Sequence, residues 1–284
     1  MTVIAVTGAT GAIGGRVARS LAAHGADLRL VARDPSRAPS IGADVRQASY
    51  DDGDALRTAF AGASTLFFVS ASEDADRVRL HTNVVHAAAA SGVDRIVYLS
   101  FLNAAEDSTF TFARDHWATE LRIRETGLRH TFLRDAMYAD FLPGLAGADR
   151  VIRGPAGHGA MTPVAQDDVA AVAAAVLVSD RYDGDTLDVT GPQRLTMTDV
   201  ATVLTDVTGK PVTYEEETVE EAYASRASYG AADFEVDGWV STYTAIAAGE
   251  LDVLSAAVRM VTGREPMSLR ALLEARPELV QHLA

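Results

Sequence analysis

An apolar, β-branched run, Val3-Ile4-Ala5-Val6-Thr7, leads straight into a turn with glycines at Gly8, Gly11 and Gly14. An amphipathic pattern follows, with Ile13, Val17 and Leu21 four apart on one helical face and Gly25 at its C-terminal end. Strand, glycine turn and helix in this order form a phosphate cradle. Gly8 permits the tight turn, Gly11 lets backbone N–H groups approach a pyrophosphate, and Gly14 lets the helix pack close to the strand. Thr10, Ala12 and Ile13 complete the turn, so residues 8–14 are expected to hold a dinucleotide.

Beyond this unit the chain alternates strand and helix patterns. Strands are expected at 2–7, 27–32, 44–48, 64–70, 94–100 and 129–134, and helices at 12–24, 52–60, 75–91 and 113–126. That rhythm predicts an α/β fold, a Rossmann-like doubly wound parallel sheet with its ligand outside the carboxyl ends of the strands. After about residue 135 the pattern breaks at Pro143-Gly144, Gly147, Gly154-Pro155 and Gly157. Gln166-Asp167-Asp168 is expected to cap an apolar helix at 169–178, and 186–189 reads as a further strand. The expected organisation is a cofactor-binding domain over 1–150. Residues 151–284 complete the sheet and add a small, helix-rich lobe on the substrate side that does not fold independently.

Zero cysteines exclude disulfides, thiolate nucleophiles and cysteine-based metal centres. A net charge of −14 argues against nucleic acid as a direct partner. No apolar run approaches bilayer length, and no basic segment precedes the first strand, so no membrane association and a cytoplasmic location are expected. Of 25 basic residues only Lys210 is lysine, so any mechanism needing a lysine near the nucleotide has that one to offer.

Arg33 follows the second strand, about twenty residues beyond the glycine turn, where an acidic residue would bind the ribose 2′-hydroxyl of NAD. An arginine there accommodates a 2′-phosphate, with Arg37 as a second guanidinium, and NADP(H) is the expected cofactor. The alternative is two solvated surface arginines; the neighbouring Asp34 could cap the turn at Pro35. Asp51 could accept from an adenine amino group or N-cap the helix beginning near Asp54. Ser70, Ala71 and Ser72, at the end of the fourth strand, are small enough to let the nucleotide cross the sheet edge.

Short-chain reductases place a serine at the end of the fifth strand and Tyr-x-x-x-Lys in the next helix. Ser100 stands at the first place, but Phe112 and His116 stand where tyrosine and lysine would be. Phe112 has no hydroxyl, so a tyrosinate mechanism is excluded by the residues themselves. The chain resembles the atypical short-chain dehydrogenase/reductase group that contains the NmrA-like proteins, type-2 NAD(P)H:quinone oxidoreductases and triphenylmethane reductases. The resemblance rests on Thr7-Gly8-x-Thr10-Gly11-x-x-Gly14, Val31-Ala32-Arg33-Asp34-Pro35, Tyr98-Leu99-Ser100, His116-x-x-Thr119-Glu120, Gly127-Leu128-x-x-Thr131-x-Leu133-Arg134 and Thr262-Gly263-Arg264-Glu265-Pro266.

The resemblance implies NADP(H) binding and, for a reductase, direct hydride transfer to an electron-poor acceptor such as a quinone or dye. His116 then becomes the catalytic candidate, contacting the nicotinamide ribose and able to donate a proton because its ordinary pKa lies near neutrality. Its structural alternative is a pairing with Glu120 one turn on. Phe101 and Tyr138 are expected walls for a flat acceptor, or ordinary packing aromatics. No metal site is expected, since His116 and Glu120 have no evident third ligand. His81 and His86, five apart, share no helical face, and Trp117 reads as core. Two other functions fit the same frame: a non-catalytic NADP(H) sensor that binds a protein partner, and an NADP-dependent epimerase or isomerase. A homodimer is compatible with each.

Overall fold

A computed structural model describes residues 2–283. Seven parallel strands form the central sheet in the order β3-β2-β1-β4-β5-β6-β9. They are β1 (Val3–Val6), β2 (Asp27–Ala32), β3 (Asp44–Gln47), β4 (Thr65–Val69), β5 (Arg95–Phe101), β6 (Arg129–Asp135) and β9 (Thr186–Val189). The winding reverses between β1 and β4, which makes their carboxyl ends the switch point. Both faces are covered. On one side α1 (Ala12–Ala23) packs with α5 (Gln166–Leu177) over an aliphatic layer that includes Val6, Val17, Leu30, Val97 and Val172. On the other, α2 (Gly53–Phe60), α3 (Arg77–Ala90) and α4 (Thr111–Glu125) cover Phe60, Phe68, Tyr98 and Phe132. Burial on both sides explains why Ile4-Ala5-Val6 and Leu66-Phe67-Phe68 are continuous apolar runs instead of alternating ones.

The remaining elements form a cap with its own core around Leu142, Ile152, Leu204, Tyr243 and Leu272. Two small sheets belong to it: β7 (Val151–Gly154) beside β11 (Thr213–Glu216), and β8 (Ala160–Met161) beside β10 (Leu195–Thr196). Helices α6 (Met197–Thr208), α7 (Val219–Arg226), α8 (Asp233–Ala247) and α10 (Leu269–Ala275) complete it, whereas α9 (Ala257–Thr262) returns to the sheet and packs on α5 and β9. No described helix is long and apolar enough to cross a membrane.

Two expectations are corrected. The acidic pair does not cap α5: the helix begins at Gln166 behind Ala165, and the Gln166 N–H is taken by Asp140 Oδ2 at 2.9 Å. Asp168 is instead buried inside the first turn, accepts from the Met267 N–H at 2.6 Å, and so ties the C-terminal segment to the sheet. Trp117 is not core; it is half-buried on α4 with the Arg124 guanidinium 5.6 Å from its ring centre.

Candidate functional site

The glycine turn is fixed from behind. Thr7, fully buried, donates from Oγ1 to the Phe67 carbonyl (3.1 Å) and accepts from the Val69 N–H (2.9 Å), which locks the end of β1 to the end of β4. Gly8 then turns with φ +60°, a region costly for a side chain, and Gly11 N–H closes on Gly8 O at 2.8 Å. A Cβ at Gly14 would lie 2.3 Å from Gly8 O, so only glycine lets α1 start this close to the strand. No side chain caps α1, so its first N–H groups remain directed at the space above the turn.

That space is a cavity of about 560 Å³. Its lining brings together Gly8, Thr10, Gly11, Arg33, Asp51, Ser70, Ala71 and Ser72 from the ends of four strands. Ala12, Ile13 and Gly14 form the helix start beneath it, and Arg37 is not on its wall. Arg79 of α3, which the sequence did not single out, is, as is Tyr50, whose hydroxyl donates to Val69 O at 2.7 Å. Asp34 accepts from the Ser36 N–H and hydroxyl and is not on the wall, whereas Arg33 shares the lining with Asp51, Glu73, Asp74 and Asp76. Asp52 rather than Asp51 caps α2, accepting from the Ala55 N–H at 2.9 Å. The Asp51 carboxyl is held below its ordinary range by a Ser49 hydrogen bond, with Arg79 and Arg33 adding to the effect.

A buried polar network continues from Ala71. Its N–H donates to His81 Nε2 (2.8 Å), leaving His81 Nδ1–H to donate to Thr119 Oγ1 (2.7 Å). Its carbonyl accepts from Arg77 Nε (3.1 Å), and Arg77 Nη2 lies 3.1 Å from His116 Nε2. Because a guanidinium only donates, His116 Nε2 is the acceptor and its Nδ1–H donates to the Tyr98 hydroxyl at 2.9 Å. Burial, with Arg77 next, pushes the His116 imidazole well below its ordinary value, and burial does the same to His81. Both rings are therefore neutral at pH 7, and the expectation that His116 donates a proton as an imidazolium is corrected. His116 does not pair with Glu120 either. Glu120, fully buried, accepts from the Ser100 hydroxyl (2.7 Å) and, in a fork, from Arg134 Nε and Nη2 (2.8 and 2.7 Å).

Arg77 and His81 stand one turn apart on the same face of α3, a spacing that carries more signal than the one between His81 and His86. Phe112 is buried against α8, where a Cβ on Gly238 would meet its ring at 2.2 Å. At the ends of β5 and β6, Phe101 and Asp135 are register partners, and Tyr138 follows with its hydroxyl 2.5 Å from Asp135 Oδ2. Phe101 and Tyr138 are both partly buried and pack on the same aliphatic layer as Val69, beside the glycine turn.

Sheet order, switch point, glycine turn and the arginine at the rim together define a Rossmann-like protein of the NADP(H)-binding class. Residues 1–235 match the family model described as the NmrA-like family, and the chain belongs to that family. It is 34% identical to quinone oxidoreductase 2 of Escherichia coli over 238 residues, 81% of this chain and 83% of that protein. The crystal structure of the Escherichia coli NADPH-dependent quinone oxidoreductase complexed with NADPH superposes with a TM-score of 0.88 at 31% identity, covering 96% of this chain and 99% of that one. Triphenylmethane reductase of Citrobacter sp., solved with NADP(H), gives a TM-score of 0.85 at 30% identity over 97% of this chain and all of that one.

Proposed function

We propose that this protein is an NADPH-dependent reductase that passes hydride to an electron-poor acceptor, a quinone or a cationic or azo dye. The observation that carries the reading is the cavity itself: the glycine turn, Gly11 at the start of an uncapped helix and Arg33 line it together. The solved relatives hold NADPH or NADP(H) in the same fold. When bound, the cofactor supplies a hydride. In this reading residues 8–14 hold its diphosphate and Arg33 and Arg79 its 2′-phosphate. Ser70, Ala71 and Ser72 support the nucleotide where it crosses β4, and Asp51 takes the adenine. His116 serves as a neutral wall, braced by Arg77 and Tyr98, and Phe101 and Tyr138 flank a flat acceptor. Residues 1–150 then carry the cofactor, and 151–284 close over the acceptor. The reaction belongs to the cytoplasm, where NADPH is regenerated.

The test is NADPH oxidation, followed at its absorbance band, against quinones and cationic dyes, with NADH in parallel. Turnover with a preference for NADPH is expected. Arg33→Ala should weaken NADPH binding by about tenfold or more while changing NADH binding far less, since a charge-assisted hydrogen bond is worth roughly 1.5–3 kcal/mol. Equal losses for both cofactors would remove Arg33 from the 2′-phosphate. A second reading, a non-catalytic NADP(H) sensor, is favoured by the neutral His116 and by Phe112 in place of a hydroxyl. Tight NADPH binding with no acceptor turned over would select it.

A further inference from the structure

One buried acid has no role in the function proposed so far. Asp135 ends β6, is almost fully buried, and has the Tyr138 hydroxyl 2.5 Å from its Oδ2. Its strand neighbours in register, Phe101 on β5 and Val189 on β9, are apolar. The charged groups around the pair are Arg77 from α3, which acts on it at a distance, and Asp140, itself engaged by Arg276 Nη1 at 2.7 Å. Arg77 pairs instead with Asp115, and no described cation makes a salt bridge with Asp135. Burial pushes the Asp135 carboxyl up to about 8, even though the Tyr138 hydrogen bond pulls the other way. Burial and the neighbouring carboxyl raise the Tyr138 hydroxyl well above its ordinary value. At neutral pH the pair thus holds both of its protons, and Tyr138 is the more exposed of the two side chains.

We propose that Tyr138, backed by Asp135, is the proton donor to the reduced acceptor. The inference rests on the reductase reading above. Hydride addition brings a quinone two electrons and one proton equivalent and leaves an anionic oxygen. The Tyr138 O–H bond breaks as an O–H bond forms on that oxygen. The Asp135 carboxyl proton crosses to the tyrosine oxygen, and the carboxylate left behind recovers a proton from water. The sum is quinone plus hydride plus proton to hydroquinone. Tyr138 is the group that touches the acceptor; Asp135 is its proton reserve.

A quinone needs this proton, whereas a triarylmethane cation becomes a neutral product on hydride addition alone. The two acceptors therefore separate proton delivery from hydride delivery. In Asp135→Asn and Tyr138→Phe, kcat for a benzoquinone is expected to fall at least about tenfold relative to kcat for the dye, the lower range of general acid catalysis. Wild-type quinone turnover should decline above pH 8, an inflection that Asp135→Asn lacks. Independently of activity, the cofactor-free protein should show an infrared carboxylic-acid carbonyl band that disappears with a midpoint near pH 8 and is missing in Asp135→Asn. A quinone-to-dye ratio unmoved in both variants overturns the proposal, as does a carboxyl that titrates in the ordinary aspartate range. A wild-type protein that turns over neither acceptor defeats the reductase reading and this proposal with it; turnover with an unmoved ratio defeats the proposal alone.

Discussion

Gly14→Ala tests the link between packing and cofactor binding most directly. The added Cβ would stand 2.3 Å from Gly8 O, 2.6 Å from Gly8 C and 2.9 Å from Thr7 O, all backbone atoms. Ordinary contact is about 3.5 Å, so α1 must retreat by roughly 1 Å or the turn must yield. The turn resists, because Thr7 is bonded to both Phe67 and Val69. Overpacking of this kind costs about 3 kcal/mol at the upper end, and replacing glycine by alanine inside a helix returns about 1. A net loss of about 2 kcal/mol is expected, roughly 3–4 °C in Tm for a chain of this size. Moving the α1 N–H groups by that distance also lengthens their hydrogen bonds to a phosphate, and NADPH affinity should fall by at least about tenfold. Gly15→Ala is the control. Its nearest backbone neighbour is Ala9 O at 3.1 Å, an encroachment of tenths of an ångström that propensity roughly offsets. Urea unfolding and calorimetric NADPH titration of both variants decide the matter. If Gly14→Ala binds and unfolds like wild type, or Gly15→Ala fails equally, the close approach is not what holds the cradle.

Glu120→Ala should destabilise the fold by about 3–5 kcal/mol, because it strands the half-buried Arg134 guanidinium and the Ser100 hydroxyl; Glu120→Gln should recover much of that in denaturant titration. Stability against pH supplies another check. His81 and His116 are held neutral by burial, so below the unfolded histidine pKa of about 6.5 the unfolded chain binds protons that the fold refuses, and each costs about 1.4 kcal/mol per further pH unit. Asp135 has the opposite sign: its raised folded pKa makes the fold bind the extra proton between about 4 and 8, so its stabilising share is present at low pH and lost as pH rises through 8. Between pH 6.5 and 5 the three partly cancel. Asp135→Asn should therefore lose stability more steeply than wild type as pH falls through that interval in urea titrations; parallel profiles would show that Asp135 is ionised in the fold.

The layers of the fold were legible because buried parallel strands write themselves as unbroken apolar runs, and because glycine spacing at residues 8, 11 and 14 has few other uses. Strand ends moved by a residue: β5 extends through Phe101 and β6 through Asp135, so Ser100 lies inside the sheet and not at its lip. The nucleotide half of the site was readable for the same reason, since its residues follow strands in order. Arg79, Arg77 and His81 were not, because each acts across elements. Arg79 reaches the cavity from α3, and His81 finds its partners on the β4 loop and on α4. The neutrality of His116 was equally hidden: nothing in a one-dimensional pattern says that Arg77 and Tyr98 will occupy both ring nitrogens.

Those two occupied nitrogens also narrow the acceptor. A simple ketone is a weak electrophile whose oxygen needs a proton while the hydride arrives, and short-chain reductases supply it from a tyrosine whose pKa an adjacent lysine lowers. Here Phe112 packs against Gly238, and His116 is neutral with its N–H given to Tyr98. No ammonium stands at that place, because the chain's one lysine is Lys210, exposed beyond α6. The proton held at the site sits instead on Asp135 and Tyr138, in a pair with no adjacent cation to acidify it. Such a donor is too weak to activate a ketone before hydride transfer, yet sufficient to quench an oxyanion after it. Acceptors that are already electrophilic meet that condition, and unactivated ketones do not.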